Sequence, residues 1–222
     1  MWKRIAQVIV LSPLVALFVA CGSDDPPPPA SLECTGEQCN LECPAGTPDC
    51  QAECTKGADC DLACNDATCN LDCGSKSDCT ADCTQVGGCD ASCEGQSSCA
   101  IDCTGTGGCD LGCAGGSDCE IACKENCGGG CTGNSDCHLS CEQGCNVGCN
   151  GNARCDLTCK TNCFVCCKGS TDCQLNCTDA EVTACEGDDG STIYVCGREC
   201  PSSAECKYDE AAANDGTAAA NL

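Results

Sequence analysis

The sequence predicts an all-β fold: a disulfide-laddered parallel β-solenoid, with two short strands in each coil of 18–20 residues and an irregular C-terminal cap. Three observations predict it. Cys119, Cys137, Cys155 and Cys173 stand 18 residues apart. A five-residue unit, Cys-x-aliphatic-x-Cys, recurs as CNLEC (39–43), CDLAC (60–64), CNLDC (69–73), CAIDC (99–103), CDLGC (109–113) and CQLNC (173–177). Finally, two classes of turn sequence alternate between these units.

Alternation within the unit is a strand signal, because successive side chains of a strand point to opposite faces. Cys, the aliphatic and Cys then face inward. Residues such as Asn40, Glu42, Asp61, Ala63, Asp90, Ser92, Asp156 and Thr158 face water. A helix also places residues i and i+4 on one face. Each unit, however, is followed by glycine-rich turn sequence, and an isolated helix of that length is unstable.

The turns set two strands per circuit. Residues 84–88 (TQVGG) recur as 104–108 (TGTGG), and 74–78 (GSKSD) recur as 94–98 (EGQSS) and 114–118 (AGGSD), each 20 residues on. Later, one class shortens to three residues (124–126, 142–144, 160–162) and the period falls to 18. Fifteen strands are expected between Cys39 and Cys177, with the repeats beginning at Cys34 or Cys39. At ~4.8 Å per coil the rod is roughly 35 Å long. Two inner columns result. One is Leu41, Leu62, Ala81, Ile101, Ile121, Leu139, Leu157 and Leu175; the other is Ala52, Leu71, Ala91, Leu111, Gly129, Val147 and Val165.

So thin an interior requires covalent help. Cysteines within one strand stand ~13 Å apart and cannot bond. Bonding across each turn joins Cys83–Cys89, Cys93–Cys99, Cys103–Cys109, Cys113–Cys119, Cys123–Cys127 and Cys141–Cys145. Bonds between vertically adjacent coils are the alternative, since sequence does not fix connectivity. Cys34 and Cys166 fall outside the strand pattern, Cys166 pointing outward, and are expected to bond elsewhere.

Composition bounds the rest. There are 37 cysteines and 2% aromatics in 222 residues, a disulfide scaffold rather than an apolar globule. Oxidised thiols at that density imply a periplasmic or extracellular compartment. A formal charge of −24 excludes nucleic acid as a partner, because phosphate binding needs basic patches. It also opposes adsorption to anionic lipid headgroups. Five segments are expected: a signal peptide (1–20), with Lys3 and Arg4 ahead of the apolar run Ile5–Ala20; Cys21 and a proline-rich tether (21–33); the repeats (34–177); a cap (178–206); and a flexible tail (207–222).

Candidate chemistry is sparse. His138, with Ser140 two residues on, reads as a solvated surface histidine rather than half of a nucleophilic pair. Cys163-Phe-Val-Cys166 has the spacing of a redox pair or half a zinc site; structural bonding is the reading preferred here. No catalytic residues are assigned, and the chain is expected not to be an enzyme. Asp59, Asp78, Asp118, Asp136 and Asp172 share one turn class and should stack along one edge, with Ser98 and Arg154 interrupting. Stacked carboxylates repel, and a hard cation such as calcium between coils would relieve that. The alternative is a solvated acidic edge and no cofactor.

Two resemblances add to this. The flank Phe18-Val19-Ala20-Cys21-Gly22-Ser23 resembles the lipobox of bacterial lipoproteins, with Phe18 in place of the usual Leu. It implies lipidation of Cys21 as the first mature residue and, since Gly22 is not Asp, sorting to an outer membrane. Removing Cys21 leaves 36 cysteines, an even number for pairing. Together the flank and the ladder resemble uncharacterised cysteine-rich bacterial lipoproteins. The coils of residues 39–177 resemble the insect antifreeze solenoids, whose ice face is a flat array of outward threonines; here Thr80 and Thr158 stand isolated. The expected role is a structural or adhesive outer-membrane lipoprotein, periplasmic or surface-exposed, anchored through its lipid and meeting a surface protein or glycan. Cation binding is the second reading and ice binding the third.

Overall fold

The computed structural model describes residues 29–65, 68–84, 88–105, 108–206 and 208. The expected signal peptide, Cys21 and the tail from 209 lie outside the described residues. In chain order the first strands are β1 (Ala30–Thr35), β2 (Gln38–Glu42), β3 (Asp49–Thr55), β4 (Asp59–Ala63), β5 (Thr68–Cys73) and β6 (Asp78–Asp82). There follow β7 (Gly88–Cys93), β8 (Ser98–Cys103), β9 (Gly108–Cys113), β10 (Asp118–Cys123), β11 (Gly128–Cys131) and β12 (Asp136–Gln143). The last are β13 (Asn146–Gly151), β14 (Arg154–Thr161), β15 (Cys163–Gly169), β16 (Asp172–Cys177), β17 (Val182–Glu186) and β18 (Thr192–Cys196).

Successive strands alternate between two sheets. One has ten strands in the order β1-β3-β5-β7-β9-β11-β13-β15-β18-β17; the other has eight, β16-β14-β12-β10-β8-β6-β4-β2. From β1 to β16 every pairing within a sheet is parallel, so the chain winds as a two-strand β-solenoid. The first strand starts at Ala30, ahead of Cys34 and inside the stretch expected as a tether. It starts there because Leu32 seats over Ala52 and Cys34 over Cys54.

Register stacks like on like. In the eight-stranded sheet Leu41 lies on Leu62, Ala81 on Ile101, Ile121 on Leu139 and Leu157 on Leu175. In the ten-stranded sheet Leu71 lies on Ala91, Leu111 on Gly129 and Val147 on Val165. A slip of one residue would turn each column to water, so the register is strongly specified.

From β1 to β16 a disulfide crosses every turn between consecutive strands. The bonds expected from the sequence are present as Cys83–Cys89, Cys93–Cys99, Cys103–Cys109, Cys113–Cys119, Cys123–Cys127 and Cys141–Cys145. Cys34 is not outside the pattern: it lies in β1 and bonds Cys39 across the first turn. Cys166 does point to the outer face, but it is fully buried and bonds Cys206. It is covered because Phe164, Ile193 and Val195 form a small second core with Cys166, against which Cys185, Cys206 and Tyr208 pack. Arg198 stacks its guanidinium 4.6 Å from the Phe164 ring centre.

The turns are built for close stacking. Gly115 has φ +72°, and a Cβ there would stand 3.0 Å from the Gly95 nitrogen one coil away. Only glycine takes that conformation and that approach without strain. The short turns of the second half place Asn126 (φ 57°), Gly144 (φ 73°) and Asn162 (φ 58°) in the same left-handed region, which Asn tolerates.

The cap is more regular than the cysteine spacing implies. Strand β18 pairs antiparallel with β15, and β17 antiparallel with β18. Cys177–Cys196 and Cys185–Cys200 tie it down. Its irregular spacing reflects a reversal of chain direction, which breaks the coil period. Tyr194 lies over Val165 and packs against the main core. Asp189 accepts hydrogen bonds from the Ser191 hydroxyl and Lys168, which lower its carboxyl pKa from 3.8 to about 2.

Three outcomes follow. Full reduction and thiol blocking should abolish the β-type circular dichroism, because one aliphatic per strand cannot offset the ordering entropy. A depressed carboxylate contributes stability that is full above its ordinary value of 3.8 and is lost as the pH falls through about 2. Amide exchange in β17 and β18 should therefore accelerate over that window, and Asp189→Asn should remove the acid step. Thirdly, Gly129 borders a gap of about 10 Å³ lined by Leu111, Ile121, Leu139 and Val147. Filling it fails, since a Cβ at Gly129 would stand 2.9 Å from the Leu111 carbonyl oxygen. Gly129→Ala should destabilise by about 1–3 kcal/mol in denaturant melts with the disulfides intact.

Candidate functional site

The outer face of the eight-stranded sheet carries three columns, set by the first, third and fifth residues of each strand. The first column contains all five of the predicted aspartates. Asp59 is the register neighbour of Asp78, and Asp118 of Asp136. Ser98 separates these pairs, and Arg154 separates Asp136 from Asp172. Four of the five are exposed and Asp136 is half-buried. Neighbouring carboxylates a coil apart, at ~4.8 Å, are within bridging reach of one hard cation.

Two of the five already have a basic side chain beside them. His138 Nε2 lies 3.4 Å from Asp136 and its Nδ1 4.0 Å from Asp156, while Arg154 Nε lies 4.0 Å from Asp172. His138 is thus a surface histidine between two aspartates. Ser140 points away from it chemically, donating its hydroxyl to the Ile121 carbonyl at 3.2 Å.

Beside the predicted column stand further carboxylates, of which only Asp61 was placed outward from the sequence. Asp61, Asp82, Asp102 and Glu120 rim a shallow depression of about 410 Å³ on the same face, floored by Thr80, Ala100 and Ala122. Thr80 donates to Asp61 at 3.0 Å. The hydroxyl and N–H of Thr84 both donate to Asp82, at 2.7 and 3.1 Å, and hold its carboxyl below the ordinary value. The signal was available in the second and fourth residues of each Cys-x-aliphatic-x-Cys unit.

The opposite outer face differs. At its N-terminal end Glu33, Glu53 and Asp72 stack in register beside a depression of about 220 Å³ that Gln51 and Asn70 also line. Partial burial there pushes the Asp72 carboxyl up. Farther along, the same column becomes Ser92, Gly112, Gly130 and Gly148. Ser92, expected to face water, is buried at 6% exposure, and the glycines that continue its column, Gly112, Gly130 and Gly148, are buried with it.

Behind the aspartate column runs a ladder of buried serines that the sequence reading also missed. Ser77, Ser97 and Ser117 donate their hydroxyls to Gly74, Glu94 and Ala114 carbonyls at 2.6–2.7 Å. Each hydroxyl accepts an N–H from the preceding coil: Ala58 to Ser77, Ser77 to Ser97, Ser97 to Ser117, at 3.2–3.3 Å. The serine that precedes the aspartate in residues 74–78 and 114–118 was the available signal. This ladder holds the aspartate edge in register.

The spacing Cys163-x2-Cys166 brings no functional pair together. Cys163 bonds Cys159, Cys166 bonds Cys206, and Cys167 bonds Cys173. Cysteine triplets with sulfurs close enough for a metal, such as Cys64, Cys69 and Cys89, are stacked disulfides, which offer no thiolate.

No family model, curated protein or solved structure matches the chain. The comparisons therefore add nothing to the lipoprotein and antifreeze resemblances, and the fold stands on the strand pairing and the disulfides.

Ser97→Ala strands the buried Ser77 N–H and should cost about 1–3 kcal/mol, read as a lower midpoint in denaturant.

Proposed function

We propose that this chain is a non-enzymatic scaffold of the cell envelope, anchored through a lipidated Cys21 and presenting a rigid acidic face to a surface protein or glycan. The observation that carries the reading is the disulfide across each turn of the coils, joined to the outer face that those coils align. A rod so braced resists proteolysis and holds its columns at fixed spacing, which is what a structural or adhesive module requires. The periplasmic or extracellular compartment is supported by the disulfide density, and the outer-membrane assignment by the flank of Cys21.

A second reading has a specific observation in its favour. Asp59 and Asp78 adjoin in register, as do Asp118 and Asp136, and a divalent cation such as calcium between coils would offset their repulsion. Ice binding has less support, since the outward threonines do not form an array.

The tests separate these. Immobilised mature protein should retain an envelope component, and the pair Asp61→Lys and Glu120→Lys should lose it; retention that charge reversal leaves unchanged would overturn the adhesive reading of this face. Calcium titration should give heat that Asp59→Asn with Asp78→Asn abolishes; no heat and no melting shift in chelator would end the cation reading. Cys21→Ser should release the chain from the membrane fraction.

A further inference from the structure

The cross-turn disulfides stack on one another as the strands do. On one edge run Cys43–Cys50, Cys64–Cys69, Cys83–Cys89 and Cys103–Cys109. Successive members touch. Cys43 Sγ lies 3.4 Å from Cys69 Sγ, and Cys64 Sγ lies 3.7 Å from Cys83 Sγ and 3.9 Å from Cys89 Sγ. Cys83, Cys89 and Cys103 keep their sulfurs within 4.8 Å of one another. The opposite edge repeats the arrangement: Cys79 lies within that distance of Cys54–Cys60, and Cys73 of Cys93–Cys99. All of these cysteines are buried, at 5% exposure or less.

We infer that each stack is a path for intramolecular thiol–disulfide exchange, so that a thiol opened at one coil migrates along the edge instead of staying where it formed. The step is balanced within the chain. A Cys43 thiol loses its proton to solvent and the thiolate attacks Cys69 Sγ. The Cys43–Cys69 bond forms as Cys64–Cys69 breaks, and the electron pair leaves on Cys64. Cys64 then faces Cys83–Cys89 and repeats the displacement. The number of disulfides is unchanged, so no oxidant is consumed; opening an intact ladder takes one external dithiol, which leaves as its own disulfide. Two features favour the internal partner. Contact distance makes the exchange effectively unimolecular, and burial keeps outside thiols away. Entry is at the coils whose cysteines are half-exposed, Cys39, Cys141, Cys167 and Cys173 among them. The consequence is a structure that switches bonds from within coils to between coils without unwinding.

The experiment places one unpaired thiol in the ladder. Mature Cys50→Ser protein is acid-quenched, alkylated with N-ethylmaleimide and mapped by mass spectrometry without reduction. The expected result is a Cys43–Cys69 peptide, with label spread over Cys64, Cys83 and Cys89. Label confined to Cys43, with Cys64–Cys69 intact, overturns the inference. Cys185→Ser is the comparison, because Cys185–Cys200 lies in the cap, outside both stacks. Its label should stay on Cys200, and label elsewhere would mean general scrambling and also overturn the inference. Should Cys50→Ser fail to fold, wild-type protein is pulsed with substoichiometric dithiothreitol at pH 8. Peptides joining Cys43 to Cys69, or Cys64 to Cys83 or Cys89, are expected; only native pairs and their reduced forms would overturn it.

Discussion

The bond across each turn is the constraint on which this structure depends. A coil this short has room for one aliphatic side chain per strand, and such an interior cannot hold ordered backbone alone. The half-cystines serve twice. They fill the ends of each coil as buried apolar volume, and by closing each turn they remove freedom from the unfolded chain. The other features follow from that compression. Turns must be tight, so glycines, asparagines and also Lys56, Ser75, Lys76 and Gln96 take left-handed conformations, and adjacent turns approach so closely that a Cβ at Gly115 would stand 3.0 Å from the Gly95 nitrogen.

Parallel stacking in strict register makes every column homotypic, with consequences of either sign. Inside, leucine meets leucine and sulfur meets sulfur. In the turns, serine hydroxyls hand hydrogen bonds from coil to coil. Outside, aspartate meets aspartate, which is unfavourable, and the chain moderates it with Ser98, His138 and Arg154. The acidic face is therefore partly neutralised at its C-terminal half and more uniformly anionic around Asp61, Asp82, Asp102 and Glu120. That asymmetry directs attention to the middle of the rod as the surface where a cation or a basic partner would find the strongest field.

Legibility varied with the physical origin of each feature. The strands, the two columns and six of the cross-turn pairs could be read because each follows from local spacing: five residues per unit, three to five per turn. The aspartate column was legible for the same reason. Asp82, Asp102 and Glu120 were overlooked, although they occupy the outward positions that the same alternation defines. Ser77, Ser97 and Ser117 were harder, since a serine in a turn is ordinarily solvated and only the neighbouring coil buries it.

The sequence by itself determined the period, the alternation of faces and the need for covalent closure, because these arise from residues within about ten positions of one another. Only the tertiary structure decided what lies far apart along the chain. It placed Leu32 and Cys34 on the first coil, reversed the chain at β18, carried Cys206 back across the outer face to Cys166, and buried Ser92. Those contacts depend on which surfaces remain uncovered once the coils are stacked, and no local spacing records that.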